Sequence, residues 1–216
     1  GLTITIDGAN AECGSVSFGS TATKIAFGPG SILSVSGNWT LAGTTHNAIA
    51  SWSAGAKLRF VGSAIQTLSG WGDFNSTNTC FKEVQINKTG GAVQTPGAAS
   101  GNGMCINIVD TLEIINGLLL MNQRDDIQGR GLTGTPATTP TIIVRAGGSL
   151  QMAGSASHIR SGNASLSTTP IGLMTVAGSA TLATSSSNGI NVSGIDVEQG
   201  GVVTFESFLL TQPNNV

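Results

Sequence analysis

The sequence of 216 residues predicts a single all-β domain over residues 1–216. We expect a right-handed parallel β-helix, a solenoid of about seven or eight coils. Three observations predict this fold: a composition poor in charge and rich in small polar residues, a glycine-centred unit that recurs along the chain, and alternation of apolar and polar residues within each unit.

The composition favours strands and turns over helices. Charged residues make up 9% of the chain, against about 25% in an ordinary domain. The chain holds 31 Gly, 24 Ser and 25 Thr, and these residues prefer caps and turns to helix interiors. This style is common in extracellular β-proteins, so we expect an extracellular or cell-surface location. The abrupt start at Gly1 is what a chain with its leader already removed would have.

The charge pattern and the lengths of the apolar runs predict that two kinds of interaction are absent. The formal net charge is −2 and the basic residues are scattered, which predicts no nucleic-acid partner. No apolar run approaches the ~18 residues that a membrane-spanning helix needs. We therefore expect neither nucleic acid nor a membrane span.

A repeat of two short strands around a glycine is the main signal. Each copy alternates apolar and polar residues on both sides of the glycine, the period of a half-buried strand. One copy cannot bury its own apolar face, but stacked copies can. The copies cover 24–35, 57–68, 83–95, 111–121, 141–152, 173–183 and 195–205, with a weaker one near the start, and their glycines are Gly30, Gly62, Gly91, Gly117, Gly148, Gly178 and Gly201.

A sandwich of regular antiparallel hairpins is the competing interpretation of the same strands. The solenoid is preferred because Gly-Gly or Gly-Ser recurs at one position of the unit, whereas Asn-Gly hairpin turns are few. With about 4.8 Å between stacked strands, the coils would form a rod roughly 35–40 Å long.

Residues 60–125 carry a family resemblance. A Phe-Asn lead-in is followed by an apolar Ile-Asn-Lys-Thr-Gly-Gly strand pair and then by a Leu-x-Ile-x-Asn-Gly-x-Leu strand pair. This order resembles the repeats of large secreted surface and adhesin-type proteins of Bacteroidota and related bacteria. The resemblance implies an extracellular parallel β-helix and no catalytic residue. The matching residues are Phe74, Val84, Ile86, Asn87, Lys88, Thr89, Gly90, Gly91, Leu112, Ile114, Asn116, Gly117 and Leu119.

Two cysteines occupy nearly the same position of neighbouring units. Cys80 lies 11 residues before Gly91, and Cys105 lies 12 residues before Gly117. Stacked positions approach about 5 Å, within the Cα range of a disulfide, so we expect a Cys80–Cys105 bridge. Two buried thiols are the alternative. Cys13 is left over, either free or paired with another chain.

Two tryptophans also share a position relative to the marker glycines. Trp39 lies nine residues after Gly30, and Trp71 lies nine residues after Gly62. If both were exposed on one side of the rod, they would form a platform on which sugar rings stack. Packing in the core or in loops is the alternative.

The chain offers little for catalysis or metal binding. His46 and His158 stand at different positions of the unit, so no triad or metal cluster follows, and we expect both on the surface. One charged group in a long loop fits either local ion pairs, a subunit contact, or a calcium-assisted polysaccharide lyase. It consists of Arg124, Asp125, Asp126 and Arg130. We expect no catalytic residue, no metal and no cofactor.

The two ends of the predicted rod lack capping helices, so we expect apolar residues to be exposed there. We therefore expect a non-enzymatic extracellular structural protein for surface attachment, or for a fibre or matrix. Its partners would be further copies stacked head to tail, or neighbouring domains of a larger surface protein. The alternative is a carbohydrate-binding or polysaccharide-cleaving β-helix; ice binding by Thr-x-Thr pairs is a weaker third. The end residues are Leu2, Ile4, Ile6, Phe205, Phe208, Leu209 and Leu210.

Overall fold

In the described part of the chain, all of the regular secondary structure is β-strand. The computed structural model describes residues 1–20, 22–41, 48–70, 80–98, 103–129, 139–153, 157–161, 170–183 and 189–206. These ranges contain eighteen strands and no helix, which confirms the all-β prediction. A helix suited to crossing a membrane is accordingly absent from these ranges.

The strands are short at both ends of the chain and long in its middle. They are β1 (Thr3–Ile6), β2 (Ala11–Cys13), β3 (Val16–Ser17), β4 (Lys24–Phe27), β5 (Ile32–Val35), β6 (Trp39–Thr40), β7 (Ile49–Trp52), β8 (Lys57–Phe60), β9 (Gln66–Ser69), β10 (Cys80–Gln94), β11 (Cys105–Met121), β12 (Asp126–Gly129), β13 (Thr141–Met152), β14 (Ile159–Ser161), β15 (Ile171–Val176), β16 (Ser179–Ala183), β17 (Val192–Val197) and β18 (Val202–Glu206).

Strand pairing forms long parallel ladders. The central ladder runs through eight strands, β2, β5, β8, β10, β11, β13, β15 and β17. A second ladder joins β3, β6 and β9 to the later parts of β10, β11 and β13, and continues to β16 and β18. Further pairings are β1–β4–β7 and the start of β11 with β12 and β14. Every strand pair in the described ranges is parallel, so the antiparallel sandwich is wrong.

In the central ladder, apolar residues of successive strands are in register with one another. Its first apolar column starts at Ala11 and ends at Ile195, and its second starts at Cys13 and ends at Val197. Side chains alternate across a strand, so these two columns share one face. Their inner members are buried, from Leu33 and Val35 onwards, and form part of a core that runs through all the ladders.

The marker glycines fall at a corner between the central and second ladders, with one exception. Gly117 is paired in register with Gly148, as the repeat predicts. Gly62 and Gly117 have φ angles of 86° and 85°, which residues with a Cβ rarely adopt. The exception is Gly30, which precedes β5 and lies against Gly55. The first copy of the predicted unit is therefore out of phase with the others by one strand.

The close approach of the chain at this corner can be tested at Gly178. A Cβ there would lie closer than 3.0 Å to the carbonyl oxygens of Gly148 and Arg145. We expect Gly178→Ala to destabilise the fold by about 1–3 kcal/mol in urea unfolding, because backbone must move to make room.

The matched control is Gly19→Ala, since a Cβ at Gly19 meets nothing within 4 Å and its φ is not in the left-handed region. This control should change stability by less than about 0.5 kcal/mol. Equal effects of the two substitutions would contradict the corner packing.

Candidate functional site

The first candidate site is the set of strands at one end of the ladders. Among the described strands, β1, β2 and β3 each have a partner on one side only. Leu2 and Ile4 are exposed by 65% and 47%, and Ile6 is half-buried. Ile4 stands in register with the buried Ile25, so it is a core position without a covering layer in the described chain.

The opposite end has the same character. Within the described part of the chain, β17 and β18 also pair on one side only. Val197 and Phe205 are in register with the buried Val176 and Leu182, yet they are exposed by 49% and 47%. The predicted end residues Phe208, Leu209 and Leu210 lie outside the described residues.

Unpaired strand edges and exposed apolar columns are the two features that strand addition requires. A terminal strand presents a row of N–H and C=O groups that a further parallel strand can pair with. The exposed apolar columns behind these edges would be buried by the same addition. We call β1, β2 and β3 the first end and β17 and β18 the second end.

The second candidate site is a buried charged cluster around Asp126, on the β11–β12–β14 pairing. Asp126 is fully buried, and its Oδ2 accepts a hydrogen bond from Arg160 Nη2 at 2.6 Å. Its Oδ1 accepts one from the backbone N–H of His158 and lies 2.8 Å from His158 Nδ1. The side chain of His158 is only 12% exposed, so its predicted surface position is wrong.

The neighbouring carboxylate, that of Asp125, is bonded to backbone groups. Asp125 is also fully buried and accepts hydrogen bonds from the N–H groups of Gly97 and Met104. Burial raises the pKa of Asp125 and outweighs these hydrogen bonds, while the charge of Asp126 raises it further. Of the three alternatives for this charged group, local contacts are the observed role of both carboxylates; Arg130 lies outside the described residues.

Two amide side chains beside this cluster have buried polar atoms without a partner. Asn107, Gln128 and Arg160 are in register on successive strands. Both polar atoms of the Asn107 side chain and Oε1 of Gln128 are buried and make no hydrogen bond within the described part of the chain. Such atoms usually accompany an ordered water or a small polar ligand.

An ion ladder ties the outward face of the central ladder together. Lys57 pairs with Glu83 at 3.1 Å. On successive strands, Arg59 Nε donates to Gln85 Oε1, whose Nε2 donates to Glu113 Oε2. Glu113 Oε1 also accepts from Arg145 Nε at 2.8 Å. Burial would raise the pKa of Glu113, but the hydrogen bonds from Arg145 and Gln85 lower it overall.

Lys88, in the Asn-Lys-Thr-Gly-Gly segment that carries the resemblance, has a structural role that its position in the sequence does not predict. Its side chain is buried, and its Nζ donates to Gln66 Oε1 at 2.6 Å and to the carbonyl of Val61. Gln66 in turn donates to the carbonyl of Val35. Burial lowers the pKa of Lys88. The sequence feature that could have indicated this buried role is a lysine placed between an apolar strand and a Gly-Gly pair.

The tryptophan platform is wrong where it can be checked. Trp39 is fully buried and packs against Phe18 and Phe81, with ring centroids 5.6 Å apart in both pairs. Its register partner is Leu68. The count from the marker glycines failed because Gly30 is at a different corner from Gly62; Trp71 lies outside the described residues.

The expected Cys80–Cys105 disulfide is wrong as well. Cys105 is buried, and no disulfide is present in the described ranges. The backbone register opposes Cys80 to Asn107, two residues away from Cys105. Diagonal neighbours of this kind are about 7–8 Å apart, beyond the usual disulfide range. Register shifts in the β10–β11 pair moved the residues that equal glycine spacing had aligned. Cys13 also forms no disulfide.

Comparison with known proteins adds no relative to this picture. No family model, no curated protein and no solved structure matches the chain. The described residues also contain no cluster of three metal-ligating side chains.

The buried cluster predicts a large stability loss when its central carboxylate is removed. Asp126→Ala would leave the buried Arg160 without its counter-ion and the His158 N–H without its acceptor. We expect a loss of about 3–5 kcal/mol in urea unfolding. The control is Asp110→Ala, because Asp110 is 49% exposed and 3.8 Å from Lys82, and it should cost less than about 1 kcal/mol. Similar losses in the two variants would contradict this role of Asp126.

The ion ladder predicts a pH dependence through Glu113. Because the fold lowers the pKa of Glu113, its carboxylate contributes stability above its unfolded pKa of about 4.3, and this contribution is lost as pH falls through the lower folded value. We expect Glu113→Gln to lower stability by about 1 kcal/mol at neutral pH.

The difference between Glu113→Gln and the wild type should shrink below about pH 4. Glu83→Gln, which removes a single ion pair to Lys57, is the control and should cost less than about 1 kcal/mol at neutral pH. Stability curves of Glu113→Gln and wild type that run parallel down to about pH 2 would show that Glu113 does not carry this pH dependence.

Proposed function

We propose that this protein is a non-enzymatic, extracellular structural subunit that stacks head to tail with further copies of itself. In this proposal the chain coils as a right-handed parallel β-helix, and the second end of one copy pairs with the first end of the next. The resulting fibre or matrix would serve attachment at a cell surface.

The order of the parallel ladders is the evidence that favours a coiled chain. Each long strand passes from one ladder to the next, and the following strand returns to the first ladder in the same order, as in β10 and β11. The crossover connection between two parallel strands of one sheet is right-handed in almost all proteins. A closed coil would also account for the single core that continues through all the ladders.

The open ends of the apolar columns are the observation that carries the stacking proposal: Val197 is 49% exposed, and the other end residues are half-buried. The column that begins at Cys13 ends at Val197, and the column that begins at Ala11 ends at Ile195. A second copy placed on the second end would continue each column with residues of the same apolar class. It would also pair the free edge of β17 with the free edge of β2.

A second copy fits these ends because both the hydrogen-bond pattern and the apolar pattern of one end complement the other. A heterologous contact of this kind does not close on itself, so repeated addition produces a filament. The extracellular location rests on the composition, which covers the surface with Ser, Thr, Asn and Gly, and on the resemblance to secreted surface proteins.

The carbohydrate-binding or polysaccharide-cleaving alternative gains no support from the amides of Asn107 and Gln128, because both side chains are fully buried and a sugar chain does not reach them. A screen on acidic polysaccharides, read by ultraviolet absorbance of unsaturated products, tests cleavage. A positive screen would replace the structural proposal.

The stacking proposal is tested by a disulfide between copies. In a stack, Val197 of one copy would adjoin Cys13 of the next at the spacing of paired strands, about 5 Å, which a disulfide can bridge. We expect Val197→Cys to form dimers, trimers and longer chains on non-reducing gels. Dithiodipyridine activation allows the exchange to be run at about pH 5 and about pH 8. Light scattering and electron microscopy of the wild type would report filaments.

Two control variants check the register of this crosslink. Adding Cys13→Ser to the Val197→Cys variant should abolish the chains. Val202→Cys, an exposed position in the other terminal strand of the same end, should crosslink far less. A chain that stays monomeric at both pH values and forms no Val197→Cys crosslink would contradict stacking and favour an adjoining domain as the partner.

A further inference from the structure

One outward column of the central ladder ends in a carboxylate at both ends. It begins at Glu12 on β2 and finishes at Asp196 on β17. Between them, each strand contributes one residue in register, and these residues are Ser34, Arg59, Gln85, Glu113, Ile143 and Thr175. In a head-to-tail stack, Asp196 of one copy would therefore stand directly against Glu12 of the next.

Inside the chain, charges that are neighbours along this face are compensated. Arg59 is bonded to Gln85, and Glu113 is bonded to both Gln85 and Arg145. The two terminal carboxylates differ from these because the strands beneath them, β5 and β15, carry no charged residue. Arg59 is two strands inward from Glu12 and is already bonded to Gln85.

Among the described residues, the strands of the two ends carry no lysine or arginine, and the α-ammonium of Gly1 precedes β1, which is in a different sheet from β2. The second end carries two more acids, Glu198 after β17 and Glu206 at the end of β18. The first end carries Asp7 after β1, and the lysine nearest to it in sequence, Lys24, is on β4 opposite Thr3. Stacking thus brings acidic ends together, and charged edge residues of this kind oppose strand addition.

We propose that the Asp196–Glu12 contact makes stacking acid-dependent, so that copies remain apart at neutral pH and assemble when one proton is shared between the two carboxylates. This inference rests on the proposed function and specifies its register and control. Two like charges about 5 Å apart disfavour the doubly ionised state, as in other paired carboxylates.

The sign of the pH effect follows from linkage. The stacked state binds more protons than the separated copies, so the association constant rises as pH falls through the carboxylate range. One shared proton per junction allows at most about a tenfold gain per pH unit. We expect assembly of the wild type to be at least about tenfold stronger near pH 4.5 than near pH 7.5, measured by light scattering and sedimentation.

Charge reversal in the full chain tests the contact itself. Glu12→Lys and Asp196→Lys should each assemble near neutral pH, because each single change places an ammonium against a carboxylate. The double variant Glu12→Lys with Asp196→Lys should not assemble near neutral pH, because it restores like charges. The control is Asp110→Lys, which gives the same net charge as either single variant but at an exposed site away from both terminal strands.

The outcomes separate this inference from the stacking proposal. If the wild type stacks equally well at both pH values, or if Asp110→Lys promotes assembly as much as Glu12→Lys does, the acid control is overturned while stacking stands. If no variant assembles and Val197→Cys forms no crosslink at either pH, both proposals are overturned. Assembly of both single variants without the double variant supports the paired register.

Discussion

Parallel, in-register strand pairing is the constraint on which the rest of this molecule depends. A parallel ladder places each residue directly above its counterpart, about 4.8 Å away. An apolar position must then be apolar in every strand of the ladder, as it is from Val35 through Val144 to Val176. The same constraint leaves the first and last members of each column with one covered side. The buried core and the partly exposed apolar residues of the end strands therefore have one physical origin.

The polar residues obey the same geometry. Where a charge falls inside the fold, a neighbouring strand supplies its partner: Arg160 reaches Asp126, and Gln66 accepts from Lys88. On the outward face, Arg59, Gln85 and Glu113 link three strands in succession. A chain with only 9% charged residues thus uses many of them to hold strands together. At Glu12 and Asp196 the ladder ends, and there a carboxylate faces outward from each end of the molecule.

The strand content could be predicted because alternation of apolar and polar residues is a local property. The segments around Gly117 and Gly148 are in the phase that the repeat predicts, since both have the same Gly-centred pattern. The register shift between Ile114 and Asn116 precedes the corner and leaves the two glycines paired. Gly30 was misplaced because the corner between β4 and β5 also uses a glycine. Counting residues from Gly30 therefore predicts an exposed position for Trp39, whereas Trp39 packs against Leu68 and Phe81 in the core. The Cys80–Cys105 bridge failed for a related reason, a register shift that only the paired strands reveal.

Composition and local periodicity are enough to predict the all-β class, the recurring strand unit and the apolar character of the end strands, because both are properties of residues that are close in sequence. The tertiary structure alone decided which residues are opposite one another, because register depends on bulges and insertions whose effects accumulate along the chain. It therefore brought His158 and Arg160 to Asp126 across more than thirty residues. It also aligned Glu12 with Asp196 in one column, a relation that no local pattern contains.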